Sequence, residues 1–412
     1  MTLTITSGSW PRRTGAPLLT EGDTMAAPDI SDLSPDEHDI VSVVHDWVED
    51  SVRPVARDLE HENAYPADLI DAMKQLGVFG LAVPEAYGGS GVSTPCFALV
   101  TEELARGWMS LAGATGGHSV VARLITVFGT EAQKTRWLPR MATGQVRMAM
   151  ALTEPAGGSD LQALRTQAKP SGSGYRLDGV KTWITNARAA DVIAVLCKTD
   201  PEAVPPSRGI SILLAEKGPG FTVSRDLPKL GYKGLESCEI VFDGYECPGE
   251  ALLGAAEGQG FAQMMGGLEL GRINVAARAV GVARAALEDS LRYAQQRETF
   301  GQPIWRHQAV GHRLADMATR VEAARLMTLR AAAALDAGQR SDLEAGMAKL
   351  FASEVCLEVT ADAIKVHGAY GYSTEFDLER YYRDAPLMVV GEGTNDIQRN
   401  VIIRQLIDRY RV

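Results

Sequence analysis

From Ser34 to Arg147 the apolar positions recur with a helical period. Ser34-Pro35-Asp36-Glu37 predicts a helix start, with Ser34 as N-cap, Pro35 at the first helical position and Glu37 reaching back to close a capping box. Ile40, Val43, Val44, Trp47, Val48, Val55 and Leu59 follow at helical spacing and predict one buried stripe. A further helix is expected from Tyr65-Pro66 to about Gly77. The run Pro84-Glu85-Ala86-Tyr87-Gly88-Gly89-Ser90-Gly91 is too glycine-rich for a helix and predicts a loop, and helical patterning resumes at about Thr94.

From about Met148 to Leu253 the texture changes to strands. Tyr175–Leu177 and Val180–Ile184 flank Asp178-Gly179, a dipeptide that accepts positive φ and so predicts a tight hairpin. Val192–Cys197, Ile210–Ala215, Phe221–Ser224 and Cys238–Phe242 are further short β-rich runs, punctuated by Gly and Pro, which suits a small antiparallel barrel or sandwich. From about Glu257 long Ala-, Leu-, Glu- and Arg-rich helices return, over Phe261–Arg297 and Pro303–Ala337, with Gly338 as a stop. Ser341-Asp342-Leu343-Glu344 predicts a second capping box, opening a helix to about Val366, and a last helix follows Thr394. The expected plan is α+β: a flexible tail (1–30), an N-terminal helical domain (31–147), a middle β domain (148–253) and a C-terminal helical bundle (254–412).

Composition narrows the function classes. The chain has 412 residues, enough for two or three packed units, and 45% are hydrophobic. Its net charge of −11 opposes a nucleic-acid footprint, which has to be basic. The five cysteines are scattered without a C-x-x-C or a close His, which disfavours disulfides and a zinc site and fits a reducing, cytoplasmic compartment. No metal site is expected. No run of about 18 apolar residues exists, so no membrane span is expected. Met1 to about Pro28 lacks an apolar h-region and does not read as a secretory signal. It reads as a floppy tail or as an over-extended start upstream of Met25, with a mitochondrial leader, and hence the matrix, as the weaker alternative because of Glu21 and Asp23.

Four segments carry candidate chemistry. Leu152–Asp160 (L-T-E-P-A-G-G-S-D) leaves backbone N–H groups open and adds the hydroxyls of Thr153 and Ser159, a set that can hydrogen-bond an anion or a flavin edge. Alone it reads as a connecting turn. Trp183-Ile184-Thr185-Asn186 ends a predicted strand, where an aromatic beside a hydroxyl can wall a flavin ring or simply fill a barrel end. Glu392 stands between Gly391 and Gly393, just before a helix whose N-cap is Thr394 or Asn395. Glycines admit a close ligand, and a carboxylate in a crowded apolar spot has the raised pKa a general base needs, although it can also merely complement the helix dipole. In Arg297–Pro303, followed by His307-Gln308, Arg297 and Thr299 suit a pyrophosphate or a polar inter-helix turn.

The order of these segments (T-E-P-x-x-G-S-D, W-I-T-N, R-x-T-F-G, H-Q, E-G-T) resembles that of the acyl-CoA dehydrogenases over nearly all of Ser34 to Val412. Phe128–Lys134, Leu138-Pro139 and Tyr382–Ala385 support the likeness. The resemblance implies an N-terminal helical domain, a central β domain and a C-terminal four-helix bundle, with FAD between the last two, usually in a homotetramer. It implies that Met150, Ala151, Leu152, Thr153 and Ser159 contact the flavin and its pyrophosphate. Trp183, Ile184 and Thr185 would flank the isoalloxazine ring. Arg297, Thr299, His307 and Gln308, with Lys365, Val366, Gly368 and Ala369, would bind the FAD of a neighbouring subunit. Thr394, Asn395 and Asp396 would hold the cofactor beside the base. It further implies that Glu392 takes the α-proton of an acyl-CoA while the β-hydrogen leaves as hydride to flavin N5, giving a trans-2-enoyl-CoA. Electrons then pass to an electron-transferring flavoprotein.

Some members carry the base on an earlier helix, before an Arg. The corresponding stretch here is Glu269-Leu270-Gly271-Arg272, where Gly271 has no carboxylate, so the base is assigned to Glu392. Ser159, Glu269, Arg272 and Gly393 become candidate substrate contacts, with a buried ion pair as the other role for Arg272. The chain departs from the family at Gly391, where Tyr is frequent, and at Lys365 and Ala369, where Gln and Gly are common. Gly391 and the small residues Ala112–Gly117, ahead of His118, suggest room in the acyl pocket. An oxygen-using flavoenzyme is disfavoured by the intact E-G-T, a DNA-associated relative by the acidic balance, and a non-catalytic scaffold by retention of both flavin and base positions.

Overall fold

The computed structural model describes residues 33–338 and 341–410, and the expected tail, residues 1–30, lies outside the described residues. Helices α1 (Pro35–Trp47) and α2 (Arg53–His61) are joined by a π-helical turn at Val48–Val52. The capping box at Ser34 and Glu37 is formed. The buried seam, however, is Val41, Val44, Val48, Val52, Ala56 and Glu60, while Val43 and Val55 are exposed. The widened turn carries the chain past the simple helical count, so the predicted stripe is right only at Val44 and Val48 among its buried members.

Helix α3 (Ala67–Gln75) ends at left-handed Gly77, and the Pro84–Gly91 loop holds one short turn at Glu85–Tyr87. Helix α4 (Thr94–Phe128) is the core helix of the first part and is broken at Trp108, which adopts φ −156° and ψ 114°. The break frees the Gly107 carbonyl, which accepts from both terminal nitrogens of Arg380 at 3.3 Å. By length and composition α4 is apolar enough to cross a membrane, but 72% of its apolar window is buried inside the protein, as a core helix requires. Helix α5 (Glu131–Ala142) follows.

The central strands are β1 (Met148–Ala151), β2 (Gln167–Ser171), β3 (Gly174–Thr185), β4 (Val192–Lys198), β5 (Ile210–Glu216), β6 (Phe221–Asp226) and β7 (Ser237–Pro248). They form one seven-stranded sheet in the order β1-β4-β2-β3-β7-β6, with β5 on β4. The antiparallel expectation holds for β2–β3, β3–β7, β4–β5 and β6–β7, whereas β1 runs parallel to β4. Asp178-Gly179 is not the predicted hairpin. β3 continues through it with a register shift against β7, and the Asp178 carboxylate accepts from the Gly244 N–H at 2.7 Å. The positive φ of Gly179 serves a bulge, and the hairpin lies earlier, at Gly172, between β2 and β3.

The C-terminal helices are α6 (Gly260–Gln296), α7 (Gln308–Asp336), α8 (Asp342–His367), α9 (Leu378–Val390) and α10 (Asn395–Arg409). A two-strand turn, β8 (Glu298–Thr299) and β9 (Gln302–Pro303), links α6 to α7. The second capping box is absent: the Ser341 hydroxyl caps nothing on α8 and instead donates to the Glu269 carboxylate on α6 at 2.7 Å.

Helices α4 and α6 pack closely along their length. A Cβ added at Gly281 would lie 2.2 Å from the Glu102 carbonyl oxygen and 2.9 Å from Ala105 Cβ. Beside this crossing, Arg284 binds Glu102 at 2.9 Å, Glu103 at 2.5 Å and Glu288 at 2.9 Å, and Arg106 binds Glu103 at 2.8 Å and Glu288 at 3.1 Å. Gly281→Ala should therefore force the helices apart and lower the unfolding free energy by about 1–3 kcal/mol, read from urea denaturation midpoints.

Candidate active site

Glu392 occupies the turn between α9 and α10 with φ of 50°, and Gly393 follows with φ of 85°. Two left-handed residues in succession reverse the chain sharply and aim the carboxylate back into the bundle. The turn is clamped from α8. Lys349 donates to the carbonyls of Val389 (3.2 Å) and Gly393 (2.9 Å) and to Asn395 Oδ1 (2.9 Å), and Ser353 donates to the same Asn395 oxygen. Thr394 is the N-cap of α10, accepting from the Ile397 N–H.

The Glu392 side chain retains 19% exposure and meets Arg278 of α6, whose Nη2 donates to Oε1 at 2.9 Å. Its other oxygen, Oε2, is buried without a hydrogen-bond partner. Desolvation pushes the Glu392 pKa up, against the opposing pull of Arg278, Lys349 and Arg272. The Glu392 N–H donates to no oxygen among the described residues. Gly271 sits opposite, where an added Cβ would come within 2.4 Å of Oε2. The two positions the sequence offers for a base therefore compete for one space, and glycine at the first makes room for the carboxylate from the second.

A second group of residues converges from the sheet. Thr153, after β1, accepts from the Thr182 N–H of β3 at 2.9 Å, which sets Met150–Thr153 beside Trp183–Thr185. Lys181 ties the Leu152 carbonyl (3.0 Å) and Glu154 (2.9 Å), and Glu154 accepts from the N–H groups of Arg165 and Thr166, so the loop is held from below. Ser159 stays exposed. Trp183 has φ of 60° and is 55% exposed, so its ring is not barrel-end filling. Met150, Leu152, Thr153 and Thr185 are half-buried, and Ala151 and Ile184 are buried.

Tyr232 bridges the two groups. Its left-handed backbone (φ 57°) is held by the Asp384 carboxylate, which accepts its N–H at 2.6 Å. Burial raises its phenol pKa, with Thr185 as a hydrogen-bond partner and Arg278 and Glu392 near enough to perturb it. Its hydroxyl would lie 1.8 Å from a Cβ at Gly113, so α4 needs glycine there.

The remaining candidates lie elsewhere. Thr299 and His307 bond to each other at 2.8 Å on the α6–α7 turn, whose Phe300 is 97% exposed, and Arg297 and Gln308 are exposed beside them. Lys365 pairs with Asp362 at 2.9 Å, Val366 is buried, and Gly368 and Ala369 are exposed at the end of α8. Among the described residues no hydrogen bond or ion pair joins either set to Glu392 or to the sheet group. Glu269 accepts from the Ser341 hydroxyl, and Arg272 pairs with Asp342 at 2.7 Å. Asp396 is exposed and paired with Arg399, while Asn395 is buried in the clamp.

Sequence reading missed Arg278, Asn274, Lys349, Tyr232 and Asp384. A signal existed for the first two: polar side chains at Asn274 and Arg278 interrupt an α6 stretch that is otherwise almost wholly apolar. Replacing Arg278 with Leu should leave the half-buried Glu392 carboxylate without its ion-pair partner, at up to about 3 kcal/mol. The loss has a sign in pH. Glu392 is already raised above its unfolded value, and removing Arg278 raises it further, so stability is retained at acid pH and lost as pH rises through the folded pKa. Denaturation of Arg278→Leu should show a deficit that grows from acid to neutral pH.

Matches to known proteins cover the same residues. Family models described as the N-terminal, middle and C-terminal domains of acyl-CoA dehydrogenase match residues 34–145, 149–245 and 258–407. (2S)-Methylsuccinyl-CoA dehydrogenase of Cereibacter sphaeroides is 41% identical over 83% of this chain, which spans 64% of that protein. An acyl-CoA dehydrogenase of Bacillus subtilis is 41% identical over 89% of this chain and 96% of its own length. The structure of butyryl-CoA dehydrogenase from Megasphaera elsdenii superposes with a TM-score of 0.88 at 37% identity, covering 91% of this chain and 99% of that one.

Proposed function

Because the chain belongs to the acyl-CoA dehydrogenase family, we propose that it oxidises the Cα–Cβ bond of an acyl-CoA thioester at a bound FAD, with Glu392 as the base. The observation that carries this reading is the state of Glu392: one oxygen held by Arg278, the other buried and unpaired, and a pKa raised by desolvation. Burial keeps water from solvating the carboxylate and raises its basicity, while Arg278 keeps it oriented. Oε2 takes the α-proton. The unpaired Glu392 N–H is available to donate to the thioester oxygen as negative charge develops there, an interaction worth several kcal/mol in a dry site. The product is a trans-2-enoyl-CoA.

The sheet residues fit a flat aromatic cofactor. Trp183 offers an exposed ring face at the end of β3, and Thr185 and Thr153 offer hydroxyls beside it. FAD bound there supplies the acceptor for the β-hydrogen, which leaves as hydride. Met150–Thr153, Ser159 and Trp183–Thr185 hold the flavin in this reading, with Thr394–Asp396 beside it. Arg297, Thr299, His307, Gln308 and the Lys365–Ala369 segment serve a neighbouring subunit's FAD in a homotetramer, a role supported by the exposure of Arg297, Gln308, Lys365, Gly368 and Ala369. Glu269, Arg272 and Gly393 lie on the substrate side. The electron acceptor is an electron-transferring flavoprotein, as the family resemblance implies.

The test is anaerobic bleaching of the purified flavoprotein by a panel of acyl-CoA thioesters. Wild type should bleach with at least one of them, and Glu392→Gln should react about 10²–10⁴-fold more slowly while keeping its flavin. Equal reaction of the variant would remove Glu392 as the base. Since the base must be ionised, the acid limb of kcat/KM should fall above the ordinary carboxylate range, and activity should rise with pH through it.

A further inference from the structure

The face that α6 turns toward α4 is polar next to the base. Gly271, Asn274 and Arg278 stand at i, i+3 and i+7, one above another on the helix. Gly271 faces Glu392, and Arg278 binds it. Asn274 and Arg278 both end at Gly116 of α4, where an added Cβ would lie 3.2 Å from Asn274 Oδ1 and 3.7 Å from Arg278 Nη2. Tyr232 closes the same space at Gly113.

Several polar atoms of these groups find no partner among the described residues. Asn274 is 1% exposed, yet neither its amide nitrogen nor its amide oxygen has a partner, and Arg278, 5% exposed, leaves Nε unpaired. A buried amide with both ends unpaired costs free energy that an apolar side chain of similar size would not. A hydrocarbon acyl chain would satisfy none of these donors.

We propose, building on the dehydrogenase reading, that the acyl group taken by this site carries a second carboxylate, received by Asn274 and Arg278 beside Gly116. The substrate class is the mono-CoA thioester of a short dicarboxylic acid. The carboxylate accepts from Asn274 Nδ2 and Arg278 Nε, the two donors left without a partner. The reaction is unchanged, with Glu392 taking the α-proton.

The test compares dicarboxylic mono-thioesters with monocarboxylic thioesters of equal length, succinyl- with butyryl-CoA and glutaryl- with pentanoyl-CoA, using the full-length flavoprotein and an artificial electron acceptor. The carboxylated member of a pair should be favoured roughly tenfold or more in kcat/KM, and Asn274→Leu should erase most of that ratio. Asn274→Ala serves if Leu does not fit. Thermal unfolding of ligand-free protein gives an independent readout. An amide kept for a ligand makes Asn274→Leu at least as stable as wild type, whereas a structural amide makes it less stable. Preference for the unsubstituted thioester with Glu392-dependent turnover would overturn this inference and leave the dehydrogenase reading intact. So would a carboxylate preference that survives in Asn274→Leu, as far as the residue is concerned. Failure of every thioester to bleach the flavin would overturn both.

Discussion

The structure depends on how closely α4 and α6 approach. Gly281 has no side chain, and its Cα hydrogens lie against the Glu102 backbone. Around that contact are Glu102, Glu103, Arg106, Arg284 and Glu288, all buried, with Arg325 of α7 joining Glu102 at 2.8 Å and His45 of α1 joining Glu103 at 3.0 Å. Burial works to raise the Glu103 pKa, but His45, Arg284 and Arg106 outweigh it and hold the carboxyl far below the usual range. Such a network adds little net stability, since desolvation cancels much of the attraction. What it does is penalise error. A slip of one helix by a turn would leave buried charges unpaired, at several kcal/mol each.

That register is what the site inherits. The stripe of α6 that carries Gly281, Arg284 and Glu288 continues backward through Arg278, Asn274 and Gly271, and α4 runs antiparallel, from Glu102 past Gly113 and Gly116 to Val120. From Gly281 to Gly271 is about 15 Å along the helix. Over that distance the facing surface changes from paired charges to glycines and unpaired polar groups. At the ionic end each charged side chain has an ion-pair partner. The other end can leave an amide and a carboxylate oxygen unmatched because the register no longer depends on them.

How much of this was legible follows from where each signal resides. Local chemistry was readable. Ser34–Glu37 capped its helix, Gly77 and Gly338 ended theirs, and Glu392 announced itself by its flanking glycines. Features set by a distant partner were not. Asp178-Gly179 has the composition of a turn, but the pairing of β3 with β7 makes it a bulge. Ser341 has the spacing of a cap, but Glu269, far away in sequence, takes its hydroxyl. Arg278 and Tyr232 belong to the same class. Each is unremarked in its own segment and matters because α6 brings one to Glu392 and Asp384 brings the other to Gly113.

The Gly271–Glu392 relation gives the proposed base a steric basis beside its motif. A carboxylate can reach the space between α4 and α6 from α6 itself or from the turn before α10. Only one can occupy it, because a single Cβ on Gly271 already intrudes on Oε2. With the carboxylate on the turn, its position depends on Lys349, which spans three acceptors of that turn from α8. Burial lowers the Lys349 pKa to about 8, so the clamp is still mostly charged at neutral pH and weakens in alkali. The turn position also leaves Asn274 and Arg278 of α6 free of that carboxylate's place on the helix, with Arg278 reaching the turn instead. The glycine that yields the space, the lysine that fixes the turn and the polar stripe beside them are therefore one arrangement, set by which helix supplies the carboxylate.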